Sequence, residues 1–172
     1  VLCAGVSLAY ITGDLFNLFV AFEIMLSASY VLITRRTTAR RVRAGMTYVI
    51  VSLTSSLLFI TLVALVYAAT GTVNLAALSL EFRELAPGVQ TSLALLATVV
   101  FGIKAALVPL HFWLPDSYPT APAPITAVFA GLLTKVGVYA LIRIHTLVFQ
   151  SDTVWNVLLV VSIVTMIVGA LG

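Results

Sequence analysis

Long apolar stretches broken only by isolated charges constrain this chain more than any other feature. Residues 14–34, 44–69, 89–114 and 125–145 each approach or exceed the roughly 20 residues a spanning helix needs. In hydrocarbon every backbone N–H and C=O must be bonded internally, which leaves helices or closed barrels. A lipid-facing barrel strand alternates apolar and polar residues, and these runs do not. The expected fold class is therefore all-α, a polytopic transmembrane helix bundle. Composition agrees: 62% of the 172 residues are hydrophobic and 9% are charged, with a mean hydropathy of +1.17. A soluble domain carries about a quarter charged residues, so lipid is this chain's main solvent.

The expected spans are 1–12 (truncated), 14–34, 44–69, 89–114 (broken near 109), 125–145 and 154–172, all in one transmembrane domain. Both ends lie in apolar sequence, so residues 1–172 read as a fragment of a longer protein, and no basic region precedes residues 1–12 to make them a signal peptide. The polar stretch 70–88 is expected to hold a short interfacial helix over 73–85, and 115–124 is a Pro-rich connection. Net charge is +3, but five of the nine basic residues crowd into 35–43 (RRTTARRVR), which speaks for topology and not for nucleic acid. By the positive-inside rule loop 35–43 is cytoplasmic. The 70–88 stretch then lies outside, with Arg143 and His145 near the outer interface. Cys3 is the single cysteine, which excludes an internal disulfide and a cysteine metal site; it is expected as a small buried hydrophobe.

Three charges sit at membrane depth: Glu23, Lys104 and Lys135. Each costs roughly 3 kcal/mol on insertion scales, and such residues normally face a bundle interior or a water cavity and mark ion paths. The plainer alternative is a structural Glu–Lys pair that locks helices together. Lysine suits proton transfer because burial disfavours an ammonium while a nearby carboxylate favours it, so moving the carboxylate switches the affinity. Glu23 and Lys104 are expected to form a direct or one-water pair. Pro109 removes a donor and clashes one turn back, so the helix should break between Lys104 and Leu110; a packing kink is the lesser reading. His111, beyond the break, has the chemistry of a relay, or of a hydrogen-bonded structural histidine. Thr54, Ser55 and Ser56 offer hydroxyls to a hydrated path or to helix packing. Asp14 reads as an N-cap, Pro122 and Pro124 as a helix start, and Asp116 as a cap in the same connection. No phosphate loop, metal-ligand cluster or nucleophile–base pair is present in the spacing, so no cofactor, metal or nucleic-acid partner is expected.

Residues 13–33 (GDLFNLFVAFEIMLSASYVLI) resemble the Glu-bearing helix of Mrp-type sodium/proton antiporters, D subunits especially. Residues 102–116 (GIKAALVPLHFWLPD) and 121–124 (APAP) resemble the broken helix that this family shares with the antiporter-like proton-pumping subunits of respiratory complex I. Residues 132–142 (LLTKVGVYALI) match its next helix, and 71–76 (GTVNLA) resemble a D-subunit loop. The resemblance implies a longer protein with two inverted five-helix repeats, this chain holding the first repeat of the antiporter-like fold. It implies that Glu23 pairs with Lys104, that Lys135 leads to the second repeat, and that His111 matches a relay histidine of the complex I relatives. Tyr118 departs from the histidine common in those relatives and tilts the choice toward the antiporter.

The function expected is a proton-translocating subunit of a multisubunit sodium/proton antiporter, a secondary transporter and not an enzyme. Its proton path would use Glu23, Lys104, Lys135 and His111 around the break at Pro109. Its partners would be the other subunits of the membrane complex, the lipid bilayer, protons and sodium, in a bacterial or archaeal cell membrane. The alternative is a proton-pumping membrane subunit of complex I or of a membrane-bound hydrogenase, and a third class is a non-conducting membrane scaffold.

Overall fold

A computed structural model describes residues 1–34 and 39–171. Its α-helices run α1 (Leu2–Ile11), α2 (Leu15–Thr34), α3 (Ala39–Thr70), α4 (Leu75–Glu81), α5 (Pro87–Ala105), α6 (Trp113–Ser117), α7 (Ala123–Val128), α8 (Thr134–Leu147) and α9 (Asp152–Leu171). A π-helical turn, Phe129–Leu133, joins α7 to α8 in one continuous rod. Among the described residues there is no strand, only an isolated bridge between Asp14 and Asn74. Among the described residues five segments are long and apolar enough to cross a membrane: Leu15–Ile33, Gly45–Thr70, Pro87–Ala105, Ala123–Leu147 and Asp152–Leu171.

The helices close a ring. α1 packs on α2, α2 on α3, α3 on α5, α5 on α8, and α8 returns to α1, while α9 leans on α5 from outside. Aromatic side chains fill the centre. Phe59 meets Phe101 at 5.0 Å, Phe19 at 5.6 Å and Phe22 at 5.9 Å between ring centroids. A second cluster joins Tyr48, Trp113, Tyr118 and Phe129. Edge-to-face rings add directional attraction to the area they bury, about 0.5–1.5 kcal/mol per pair. That directionality matters in a bundle whose outer face is already apolar.

Two corners at one end of the bundle are stitched together. Leu15 N–H donates to Val73 O at 2.8 Å, and Leu75 N–H donates to Gly13 O at 2.9 Å. Asp14 accepts from Asn17 N–H at 2.9 Å, which caps α2. Asn74 accepts from Ala76 and Ala77 N–H and caps α4. Gly71 turns the chain between α3 and Asn74 with φ +72°, where a side chain would be strained.

Three expectations need correction. Cys3 is exposed on α1 and is not a buried hydrophobe, because the inner face of that short helix is made by Leu2, Gly5, Val6 and Ala9. The connection placed at 35–43 is shorter, since α3 already begins at Ala39. Nothing in the ARRVRA run stops a helix, so Arg40, Arg41 and Arg43 enter its first turns; Arg35 and Arg36 lie outside the described residues. The short helix of the polar stretch is α4 with a 3₁₀ turn over Phe82–Glu84, narrower than 73–85.

Gly137 sets how closely α8 approaches α5. A Cβ there would stand 2.6 Å from Ala105 N and 2.7 Å from the Lys104 carbonyl carbon, both backbone atoms that cannot rotate away. Gly137→Ala is therefore expected to destabilise the protein by about 1–3 kcal/mol, read as a lower thermal midpoint in detergent. Gly131→Ala, with open space around its Cβ, serves as the neutral control. Asn74→Ala is expected to cost about 1 kcal/mol in the same assay, and Asn74→Asp to restore it, because a carboxylate caps equally well.

Candidate functional site

The site begins where α5 stops. Ala106 takes the left-handed conformation, φ 56°. Leu107 N–H donates back to Gly102 O at 2.9 Å and Ala106 N–H to Ile103 O at 3.2 Å, the paired bonds of a Schellman cap. Pro109 explains the position: in a continuing helix its missing N–H would have bonded the carbonyl of Ala105, the last helical residue. Side chains bond the remaining freed groups. Trp113 Nε1–H donates to Ile103 O at 3.1 Å. Val108 N–H donates to Thr165 Oγ1 on α9 at 3.1 Å.

Lys104 lies one residue before this end and is buried, 9% exposed. Its Nζ has no hydrogen-bond partner in the protein. It stands over the Phe22 ring at 4.9 Å and the Phe59 ring at 6.0 Å from the centroids, contacts worth about 0.5–2 kcal/mol to a cation. Glu23, on α2, is half-buried and close enough to act on Lys104 electrostatically. Of the two forms expected for the Glu23–Lys104 pair, direct or through one water, the direct hydrogen bond is not formed. Glu23 Oε1 instead accepts the Ser56 hydroxyl of α3, so the carboxylate is satisfied locally and the lysine is left to the aromatic faces.

A cavity of about 30 Å³ adjoins Lys104, room for one or two water molecules. Among the described residues Lys104 is the one charged residue on its wall. Tyr48, Ser52, Ser55 and Trp113 are among the residues that line it, and Glu23 is not. Ser55 also donates to Val100 O at 3.4 Å.

The remaining candidates separate. Lys135 is exposed on the outside of this ring, its Nζ 3.4 Å from Thr134 Oγ1. Gly137, Val136 and Thr134 occupy the inner side of α8, and Lys135 stands on the other side. His111 is half-buried in the turn after the break; its Nδ1 has no hydrogen-bond partner, and the residue does not line the Lys104 cavity. Pro109 is exposed. Of the three hydroxyls expected along α3, Ser55 and Ser56 point inward, but Thr54 is exposed and bonds its own helix at Ile50 O, 2.9 Å. Asp116 is exposed within α6. Sequence reading passed over Tyr48, Ser52 and Trp113, which build the cavity, and Thr165, which bonds the break from α9. His145, expected near the outer interface, is fully buried, its Nε2 3.0 Å from Thr98 Oγ1. Polar residues placed at inward positions of otherwise apolar helices were the available signal.

Residues 12–172 match the family model described as NADH:quinone oxidoreductase/Mrp antiporter, TM. The chain is 48% identical to the D subunit of the Na(+)/H(+) antiporter of Alkalihalophilus pseudofirmus, over 99% of its own length and 35% of that protein. It is 45% identical to the protein of the same name from Bacillus subtilis, with the same coverage. It thus spans about a third of the length of these curated relatives. Among solved structures it superposes on a chain of the Mrp complex from Dietzia sp. DQ12-45-1b with a TM-score of 0.91 and 40% identity, covering 99% of this chain and 33% of that one. A chain of an archaeal membrane-bound sulfane sulfur reductase gives a TM-score of 0.83 at 37% identity, covering 91% and 32%. The fold class expected from sequence, a transmembrane bundle with a broken helix, is the fold observed, and the chain belongs to the NADH:quinone oxidoreductase/Mrp antiporter transmembrane family.

Proposed function

We propose that this chain is the proton-handling part of the D subunit of a multisubunit sodium/proton antiporter of the cell membrane, a secondary transporter that works only with its partner subunits. The observation that carries the reading is Lys104: an ammonium-bearing side chain buried at the end of a broken membrane helix, without a hydrogen-bond partner, beside a carboxylate and a water-sized cavity. A lysine kept only for structure would be paired, since an unpaired buried charge is costly. One kept for proton transfer needs the partner near but not locked on. Glu23 fits that need, because Ser56 holds it while its field still reaches Lys104. Lys135, on the outer face of α8, is the group from which protons pass to the part of the protein beyond this chain. His111 plays a lesser part, as a water bridges a relay gap but cannot replace a buried charge.

The likeness to the sulfane sulfur reductase chain supports a second reading, a subunit that pumps protons within a redox-driven complex. Exchange in everted vesicles without any electron donor separates the two: it proceeds for an antiporter and stalls for a redox pump.

In the assembled complex, Lys104→Ala and Glu23→Ala are expected to lower sodium-dependent proton exchange by about a hundredfold or more, with insertion and assembly intact. Lys104→Arg should fail equally, because arginine holds its proton to above about pH 12. Near-normal exchange in Lys104→Arg would mean a structural cation and reject the carrier role.

Lys135→Ala is expected to abolish exchange as well, while His111→Ala loses about tenfold or less. The vesicle assay, normalised to assembled complex, reads both; equal and severe losses would instead place His111 on the obligatory path.

A further inference from the structure

We infer that Thr165 of α9 is a positioning residue for the site, tying the end of the broken helix, and with it Lys104, to a helix outside the ring; the inference rests on the carrier role proposed for Lys104. A threonine in an apolar helix commonly satisfies its hydroxyl on the preceding turn of its own backbone. Thr165 does so, donating to Val161 O at 2.7 Å. That bond uses its one hydroxyl hydrogen, so the oxygen is left as an acceptor. The oxygen takes the Val108 amide at 3.1 Å. Val108 lies two residues past the left-handed turn at Ala106, outside any helix. Its amide needs a partner that lipid does not supply.

The other bonds at the break come from the segment that makes it. Ala106 and Leu107 bond back to Ile103 and Gly102, and Trp113, at the start of α6, bonds Ile103. These bonds shape the turn but move with it. Among the described residues Thr165 supplies the one hydrogen bond that ties residues 102–112 to a helix other than α5 and α6.

Little else fixes α9 against the bundle. Val154, Leu158, Val161 and Thr165 recur at helical spacing and form its inward stripe. Val154 and Leu158 are buried, Val161 and Thr165 are half-buried, and every other residue of α9 is exposed. The α9 span buries 11% of itself, whereas each of the other four spans buries 39% or more. A cleft of about 510 Å³ opens beside the stripe, lined among others by Leu159 and Ser162 of α9, Ala105 and Leu107 at the break, and Leu141 of α8. Close packing therefore does not set the distance from α9 to the break, and the hydrogen bond does. Such a bond has a narrow range of length and angle. A displacement of α9 is thus passed to Val108, and through Leu107 and the cap to the last turn of α5, which carries Lys104.

The test uses the full-length protein in its assembled complex. Thr165→Val keeps the shape of the side chain and removes the acceptor. Thr165→Ala, which removes the same acceptor and leaves less bulk, is run beside it, and Thr165→Ser keeps the hydroxyl. In the first two, deuterium uptake by the amides of residues 105–110 is expected to quicken. Sodium-dependent proton transport is expected to fall about tenfold or more, and the pH profile of the remainder to be displaced, because Lys104 no longer keeps its set distance from Glu23. Thr165→Ser is expected to match the parent in all three. Unchanged transport in Thr165→Val, with Lys104→Ala inactive, overturns the inference alone. So does a loss of transport with unchanged deuterium uptake at the break, or an equal loss in Thr165→Ser, the mark of packing damage. Full transport in Lys104→Ala removes the carrier role and this inference with it.

Discussion

Lipid offers no hydrogen bonds, so the backbone freed where α5 stops must be bonded from within the protein. That requirement organises the middle of this molecule. The Schellman cap turns two amides back onto Gly102 and Ile103. The indole of Trp113 reaches a carbonyl from the helix that follows, and Thr165 reaches an amide from the last helix. Gly137 lets α8 press its backbone against the same point. Three separate helices therefore have their positions set by one helix end. A functional group placed one residue before that end, as Lys104 is, inherits their combined rigidity.

The electrostatics of the site are divided. Glu23 has a hydroxyl partner on α3, and Lys104 has phenyl faces, so neither compels the other into contact. A locked pair would cost several kcal/mol to separate in such surroundings. A pair that is not in contact can change its separation without breaking a hydrogen bond, and its Coulomb energy changes with that separation.

Much of this was legible in the sequence, for a plain reason: hydropathy and isolated charges act through solvent, and solvent preference is written residue by residue. The spans, the break ahead of Pro109 and the cap at Asp14 all follow from such local rules. What failed depends on rotation of a helix about its axis. Depth does not tell on which side of its helix Lys135 stands, and it points outward; Thr54 and Ser55 are neighbours that differ only in facing. That Glu23 and Lys104 do not bond directly turned on a competitor, Ser56, whose reach could not be read from spacing. Tyr48 was invisible because an aromatic in an apolar helix looks like core until a cavity is found beside it.

The π-helical turn at Phe129–Leu133 carries a consequence for facing as well. A wide turn holds one residue more than its α-helical equivalent, and one residue is about 100° of rotation. Everything downstream in the rod is thereby phased by that single extra residue: Gly137 toward α5, Lys135 away from it. The turn works as an index mark on the helix. A chain shortened by one residue there would keep every side chain of α8 and its hydropathy, yet present the glycine and the lysine to the wrong neighbours.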